Sequence, residues 1–199
     1  MARAAVAASI DRMDGLYALK PWYAARLRPM RTRLAAADVS PATLTYAGVA
    51  AAALGGVALA SGHGWLVPPL VAARLAFANL DGAVARDTGR CTPYGGVVNE
   101  LGDRLADLAL LAGLLAVAPA PLVLTAMLAA TLPSWVALAG AAHGAPRRNG
   151  GPLGKTERCL LVCVAALLPA TAAAVTVAIA AGSVATAALR FAGIRKALA

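Results

Sequence analysis

Acidic side chains are scarce in this chain: nine Asp and Glu stand against 18 Lys and Arg among 199 residues. Charge of either sign is thin as well, at 14% of residues, while 60% are hydrophobic and the mean hydropathy is +0.72. A soluble domain carries roughly 25% charged residues, so a soluble globular fold is excluded and a membrane protein is expected. Histidine is limited to His63 and His143, each alone, and cysteine to Cys91, Cys159 and Cys163. Cys159 and Cys163 lie one helical turn apart in an apolar run with no His or further Cys beside them, which argues against a zinc site or a disulfide framework. They read as small packing residues. Aromatic residues make up 5% of the chain, and no aromatic-basic surface motif accompanies the net charge of +9. Nucleic acid is therefore not the expected partner.

What the chain does have is apolar length. Residues 1–15 lack an apolar core long enough for a secretory signal and read as a cytoplasmic tail. In residues 16–37, Leu16, Leu19, Trp22, Tyr23, Leu27, Met30 and Leu34 recur at helical spacing, with Lys20, Arg26, Arg28, Arg31 and Arg33 between them. That pattern predicts an amphipathic juxtamembrane helix lying in the interface, its bases toward anionic lipid, with a kink at Pro29. Residues 1–37 thus precede a membrane domain over 38–199. Proline, glycine and polar breaks divide that domain into six apolar segments, about 41–60, 65–86, 94–117, 121–142, 157–173 and 175–194, long enough for six transmembrane helices. The first is expected to be capped by Ser40 with Pro41 just inside.

Basic residues alternate between the ends of these segments. Arg3 through Arg33, then Arg86 and Arg90, then Arg147, Arg148, Lys155 and Arg158, and finally Arg190, Arg195 and Lys196 fall on one side; the ends near His63, Pro119 and Thr171 carry none. Six spans with both termini cytoplasmic satisfy the positive-inside rule. In a bacterial cell this places the chain in the inner membrane.

Five of the nine acids fall between Asp81 and Asp107, on the cytoplasmic side of that topology. Ionisable side chains inside apolar helices are costly and point to function. At about 100° per residue, Asn99, Glu100, Asp103 and Asp107 lie within about 100° on one side of the third helix. Asp81 stands near the end of the second helix, which a short turn makes the antiparallel neighbour of the third, so carboxylates of both helices are expected to converge. Arg74, Arg86 and Arg104 are the bases that could instead neutralise Asp81, Asp103 and Asp107 as ion pairs inside the bundle. Like charges brought together otherwise call for a cation, and oxygen ligands without Cys or His favour Mg²⁺ or Mn²⁺. Such ions bridge carboxylates to the phosphates of a transferring group.

The run Asp81-Gly-Ala-Val-Ala-Arg86, eight residues, Gly95, three residues, position 99, three residues, Asp103 resembles the signature of the CDP-alcohol phosphatidyltransferases, D-x2-D-G-x2-A-R-x8-G-x3-D-x3-D. The segment from Val39 to Thr45 resembles the family's entry to its first span. The resemblance covers nearly the whole chain, and Asn99 to Asp107 looks like a divergent bacterial branch. It implies transfer of a phosphatidyl or substituted phosphate group from a CDP-activated donor, such as CDP-diacylglycerol or another CDP-alcohol, to a small alcohol or phosphorylated alcohol, with release of CMP. It also implies a role in phospholipid biosynthesis and a homodimer. In the family the first three acids of the signature hold two metal ions and the fourth is the base. Here Ala78 and Asn99 replace the first and third, leaving Asp81 and Asp103. The resulting expectation is an active enzyme with altered ligation: Asp81, Asn99, Glu100, Asp103 and Asp107 at the metal, and Asp103 also as general base. Asp81, Gly82, Ala85, Arg86 and Gly95 would contact the nucleotide.

The loop from Arg147 to Arg158 contains Gly154-Lys155-Thr156 but lacks the earlier glycine and the strand of a P-loop. Arg147, Arg148, Lys155 and Arg158 at a helix start nevertheless suit an anion, giving an expected acceptor or phosphate site. Two alternatives remain. A catalytically inactive relative would bind nucleotide or lipid without turnover; a transporter would need a polar path through outer helix halves that offer scattered Ser and Thr.

Overall fold

A computed structural model describes residues 20–199. The expected tail over 1–15, with Leu16 and Leu19, lies outside the described residues. All regular elements among the described residues are helical: α1 (Lys20–Arg26), α2 (Arg28–Ala36), α3 (Pro41–Ala60), α4 (Val67–Asp87), α5 (Pro93–Ala112), α6 (Ala120–Ala142), α7 (Lys155–Leu167) and α8 (Ala172–Leu198), with 3₁₀ turns at Gly64–Leu66, Gly113–Ala116 and Pro169–Thr171. Among the described residues, three stretches are long and apolar enough to cross a membrane: Pro41–Ala60, Ala120–Ala142 and Pro169–Leu198. The chain is an apolar, helical membrane protein.

The basic amphipathic segment breaks into α1 and α2 at Leu27, two residues before Pro29, whose ring and missing N–H suit the first turn of a new helix. Asp38 ends α2 with φ of 56°, a left-handed residue at a helix terminus. Two ion pairs then fasten α2 to the far end of α4: Arg31 to Asp87 at 2.8 Å, and Arg90 to Asp38. Leu27, Leu34 and Val39 pack on Leu44, Leu80 and Val84 behind them.

Ser40 takes the N-cap position of α3 with extended backbone, yet its side chain makes no capping bond; its carbonyl accepts from Thr43 instead, at 3.1 Å. Thr92 is the residue that does cap, its hydroxyl accepting from the Gly95 amide at 3.0 Å at the start of α5. The fifth apolar segment is shorter than its hydropathy suggests. α7 stops at Leu167, ahead of Pro169, so its 13 residues span about 20 Å against a hydrocarbon core of about 30 Å.

The main core joins α3, α4, α5, α6, α7 and α8 through Ala52, Leu59, Val67, Leu110, Val123, Val162 and Ile179, all essentially buried. Close approach of α3 to α5 depends on the absence of a side chain. A Cβ on Gly56 would sit 2.3 Å from the Ala109 carbonyl oxygen, and one on Gly102 would sit 2.5 Å from Thr45 Cγ2. That approach sets Thr45 of α3 against the acidic ends of α4 and α5.

Candidate active site

Asp81, buried on the last turns of α4, is held from three directions. Its Oδ2 accepts from Thr45 Oγ1 at 2.9 Å and from Asn99 Nδ2 at 2.6 Å, and its Oδ1 accepts from the Gly82 amide at 2.6 Å. Three donors fix the orientation of the carboxylate. Asp103, one helical turn beyond Asn99 on α5, receives the Lys155 ammonium on both oxygens, at 2.8 and 2.9 Å. Lys155 is the first residue of α7, whose start is tied by the Gly154 amide donating to Glu157 Oε2 at 3.0 Å. Glu100 pairs with Arg104 at 3.3 Å and with Arg147 of the α6–α7 loop.

These groups open onto one cleft of about 1410 Å³ between the ends of α3, α4 and α5 and the α6–α7 loop. Asp81, Gly82, Ala85, Arg86, Gly95, Asn99, Glu100 and Asp103 all line it, as do Arg147, Lys155 and Arg158. The volume exceeds that of an ordinary small-ligand pocket, about 300–1,000 Å³, and suits a nucleotide-linked ligand together with a second molecule.

Two of the expected site residues sit elsewhere. Asp107 is one turn deeper than Asp103, does not line the cleft, and has both oxygens engaged: Oδ1 by Arg74 and Oδ2 by Arg158 at 2.6 Å. In this buried triad both of its oxygens are taken by guanidinium groups, apart from the cleft where Asp81 and Asp103 meet. Of the ion pairs considered between Arg74, Arg86, Arg104 and the three aspartates, Arg74 with Asp107 forms, and Arg104 lies 4.0 Å from Asp103 while also pairing with Glu100 and bonding Ser134 on α6. Arg148 is the second displaced residue. Its guanidinium lies against α8, where a Cβ on Gly193 would come within 2.8 Å of its Cζ. Of the four bases expected at the anion site, Arg147 and Lys155 therefore offer cleft-facing charge, while Arg158 is buried and spent on Asp107.

Sequence reasoning assigned Arg190 to topology alone. In the fold its guanidinium donates to the carbonyls of Gly150 at 2.9 Å, Asn149 at 2.6 Å and Pro133 at 2.9 Å, pinning the α6–α7 loop over the cleft. Thr186 of the same helix clasps the loop again by accepting from the Leu153 amide at 3.0 Å. No local pattern announces either contact, since the partners lie about forty residues away in sequence and are backbone atoms.

Among the described residues no three His, Cys, Asp or Glu side chains gather where they could hold a metal ion. Adjacent oxygen donors are nonetheless present. Asp81 and Asp103 line a common small cavity, and Asn99, bonded to Asp81, adds an amide oxygen. Two carboxylates and an amide are a donor set for one hard divalent cation.

Residues 38–192 match the family model described as CDP-alcohol phosphatidyltransferase. The chain is 30% identical over 152 residues to the inner membrane protein YnbA of Escherichia coli K12, covering 73% of this chain and 76% of that one. It is 32% identical over 148 residues to the phosphatidylinositol phosphate synthase of Mycolicibacterium smegmatis, covering 70% and 66%. Two crystal structures of the Mycobacterium tuberculosis phosphatidylinositol phosphate synthase share the fold at 23% identity. The one with manganese and citrate gives a TM-score of 0.72 over 84% of this chain and 88% of that one; the one with CDP-DAG bound gives 0.67 over 85% and 92%.

Proposed function

We propose that this chain, which belongs to the CDP-alcohol phosphatidyltransferase family, transfers a phosphatidyl group from CDP-diacylglycerol to a small alcohol or phosphorylated alcohol and releases CMP. Membership makes it a transferase of phospholipid biosynthesis that works on a CDP-activated donor. The choice of CDP-diacylglycerol is supported by the solved relative that binds CDP-DAG. The observation that carries the reading is that Asp81 and Asp103, twenty-two residues apart and matching the family signature in spacing, line one cleft with Arg86, Lys155 and Arg147.

The reaction forms a bond between the acceptor oxygen and the lipid-bearing phosphorus of the donor and breaks the pyrophosphate bond to CMP, while the acceptor hydroxyl gives up its proton. Asp103 is the group for that proton, a carboxylate open to the cleft on the α5 wall. Lys155 holds Asp103 in place until an anionic substrate draws the ammonium toward phosphate. Arg86 and the backbone at Gly82 face the donor phosphates, and Ala85 and Gly95 leave room for the nucleoside. Arg147 and Lys155 meet the acceptor, which favours a phosphorylated alcohol. A divalent cation, Mg²⁺ or Mn²⁺, would be held by Asp81 and Asp103 with the Asn99 oxygen, and when bound it supplies charge neutralisation on the pyrophosphate.

The membrane setting follows the same reading. In this reading α3 to α8 form a six-helix membrane bundle in which α7, at 13 residues, reaches only part of the way across, and α1 and α2 lie in the interface, where Trp22 is exposed with Arg26 stacked 5.2 Å from its ring centre. Residues 1–37 form the juxtamembrane portion and 38–199 the membrane domain. The cleft then opens on the cytoplasmic face of a bacterial inner membrane, where the bases collect, and lipid enters sideways between helices. A homodimer is consistent with the family.

The test is CMP release from CDP-diacylglycerol by purified protein with Mg²⁺ or Mn²⁺ and a panel of alcohols and phosphorylated alcohols. Metal-dependent release with at least one acceptor is expected. Release with none of them, and none from CDP-alcohols supplied with diacylglycerol, would leave a nucleotide- or lipid-binding protein instead.

A further inference from the structure

Beneath the cleft floor lies a cavity of about 10 Å³, walled by Ala78, Asp81 and Asp103 and by Arg74 of α4. It holds one water at most. Arg74 is wholly buried; its Nη2 reaches Asp107, whereas its Nε and Nη1 have no partner. Unpaired guanidinium N–H groups in a buried position are costly, and besides Asp107 the carboxylates of Asp81 and Asp103 line the same cavity as this guanidinium. On the other side of Asp103, the Lys155 ammonium spans both carboxylate oxygens. Asp103 thus lies between the Lys155 ammonium and the cavity that Arg74 also lines.

Resting on the transferase reading, we propose that this centre binds one divalent cation rather than two, the remaining positive charge being built into the protein as Lys155 and Arg74. Three features lead there. Ala78, which lines the small cavity together with Asp81 and Arg74, carries no ligand atom, and a second divalent ion there would share the cavity with the guanidinium charge. The Lys155 ammonium on both oxygens already neutralises Asp103 in the resting site, so this carboxylate offers little further charge to a second ion. Replacement of two signature carboxylates by Ala78 and Asn99 removes two negative charges, as much as one divalent ion neutralises. What is left, Asp81 with the Asn99 amide and one edge of Asp103, serves a single ion on the cleft side.

The experiment is Mn²⁺ titration of the purified full chain in lipid nanodiscs, with free Mn²⁺ read by electron paramagnetic resonance and CMP release measured on the same samples. One Mn²⁺ per chain is expected; none or two overturns the proposal. Lys155→Gln is expected to tighten Mn²⁺ binding by about tenfold, because a competing positive charge leaves the carboxylate; unchanged or weaker binding counts against a role for Lys155. Ala78→Asp is expected still to bind one ion, since Arg74 takes the new carboxylate, and a second ion in that variant removes Arg74 from the scheme. A protein that binds one Mn²⁺ but releases no CMP defeats the transferase reading alone. One that releases CMP while holding two defeats this proposal alone.

Discussion

Lys155 and Asp103, fifty-two residues apart, face each other so that one ammonium touches both carboxylate oxygens, at 2.8 and 2.9 Å. The pair joins α5 to the first residue of α7 and sets Asp103 beside the α6–α7 loop. It makes Asp103 the residue whose loss costs most. Asp103→Asn keeps the shape and removes the base, so CMP release is expected to fall by about 10²–10⁴-fold while the thermal unfolding midpoint in detergent stays near that of the parent. Full activity in this variant would remove Asp103 from the base role.

Chelation is expected to abolish turnover. Dialysis against EDTA should stop CMP release, and return of Mn²⁺ or Mg²⁺ should restore it, because breaking the pyrophosphate bond with CMP as the leaving group calls for neutralisation of the phosphate charge. Activity that persists through exhaustive chelation contradicts this.

Arg147 pairs with Glu100 at the cleft rim with its side chain about half exposed, and the proposed function has it meet the acceptor rather than the donor. Arg147→Ala should raise KM for a phosphorylated acceptor at least tenfold, leaving KM for CDP-diacylglycerol within about twofold, as loss of one charge-assisted contact predicts. Equal changes in both constants would place Arg147 on the donor.

Asp107 carries a different kind of burden. Removing one member of a buried charge cluster strands the others, at a cost of about 3–5 kcal/mol. Asp107→Ala, which leaves Arg74 and Arg158 facing each other, should lower the unfolding midpoint sharply and reduce the yield of folded protein. Asp107→Asn, which keeps two acceptor positions at most, should fall between the two.

The α3–α5 contact makes a prediction without charge. Gly56→Ala places a methyl 2.3 Å from the Ala109 carbonyl oxygen, a backbone atom that cannot rotate away, and overpacking of this kind costs about 1–3 kcal/mol. Gly96→Ala, where nothing lies within 4 Å, should unfold at or above the parent temperature. Equal midpoints for the two variants would mean that α3 and α5 separate freely.

Much of this architecture is written locally. Apolar runs broken by proline and glycine give the helices, because backbone groups in a membrane are satisfied within each segment and need no distant partner. The spacing from Asp81 to Asp103 is likewise a property of one hairpin of helices, so the acidic centre and its family could be recognised before any fold was known. Helical phase, however, measures angle and not depth. It put Asp107 on the same side of α5 as Asp103, while the rise of about 1.5 Å per residue carries it a turn below the cleft, to where Arg74 and Arg158 close on it. The sequence alone thus determined the membrane class, the helices and the two carboxylates of the signature. Which cation meets which carboxylate was decided by the tertiary structure, since Lys155, Arg158 and Arg147 arrive from a loop and helix about fifty residues away and only packing brings them across.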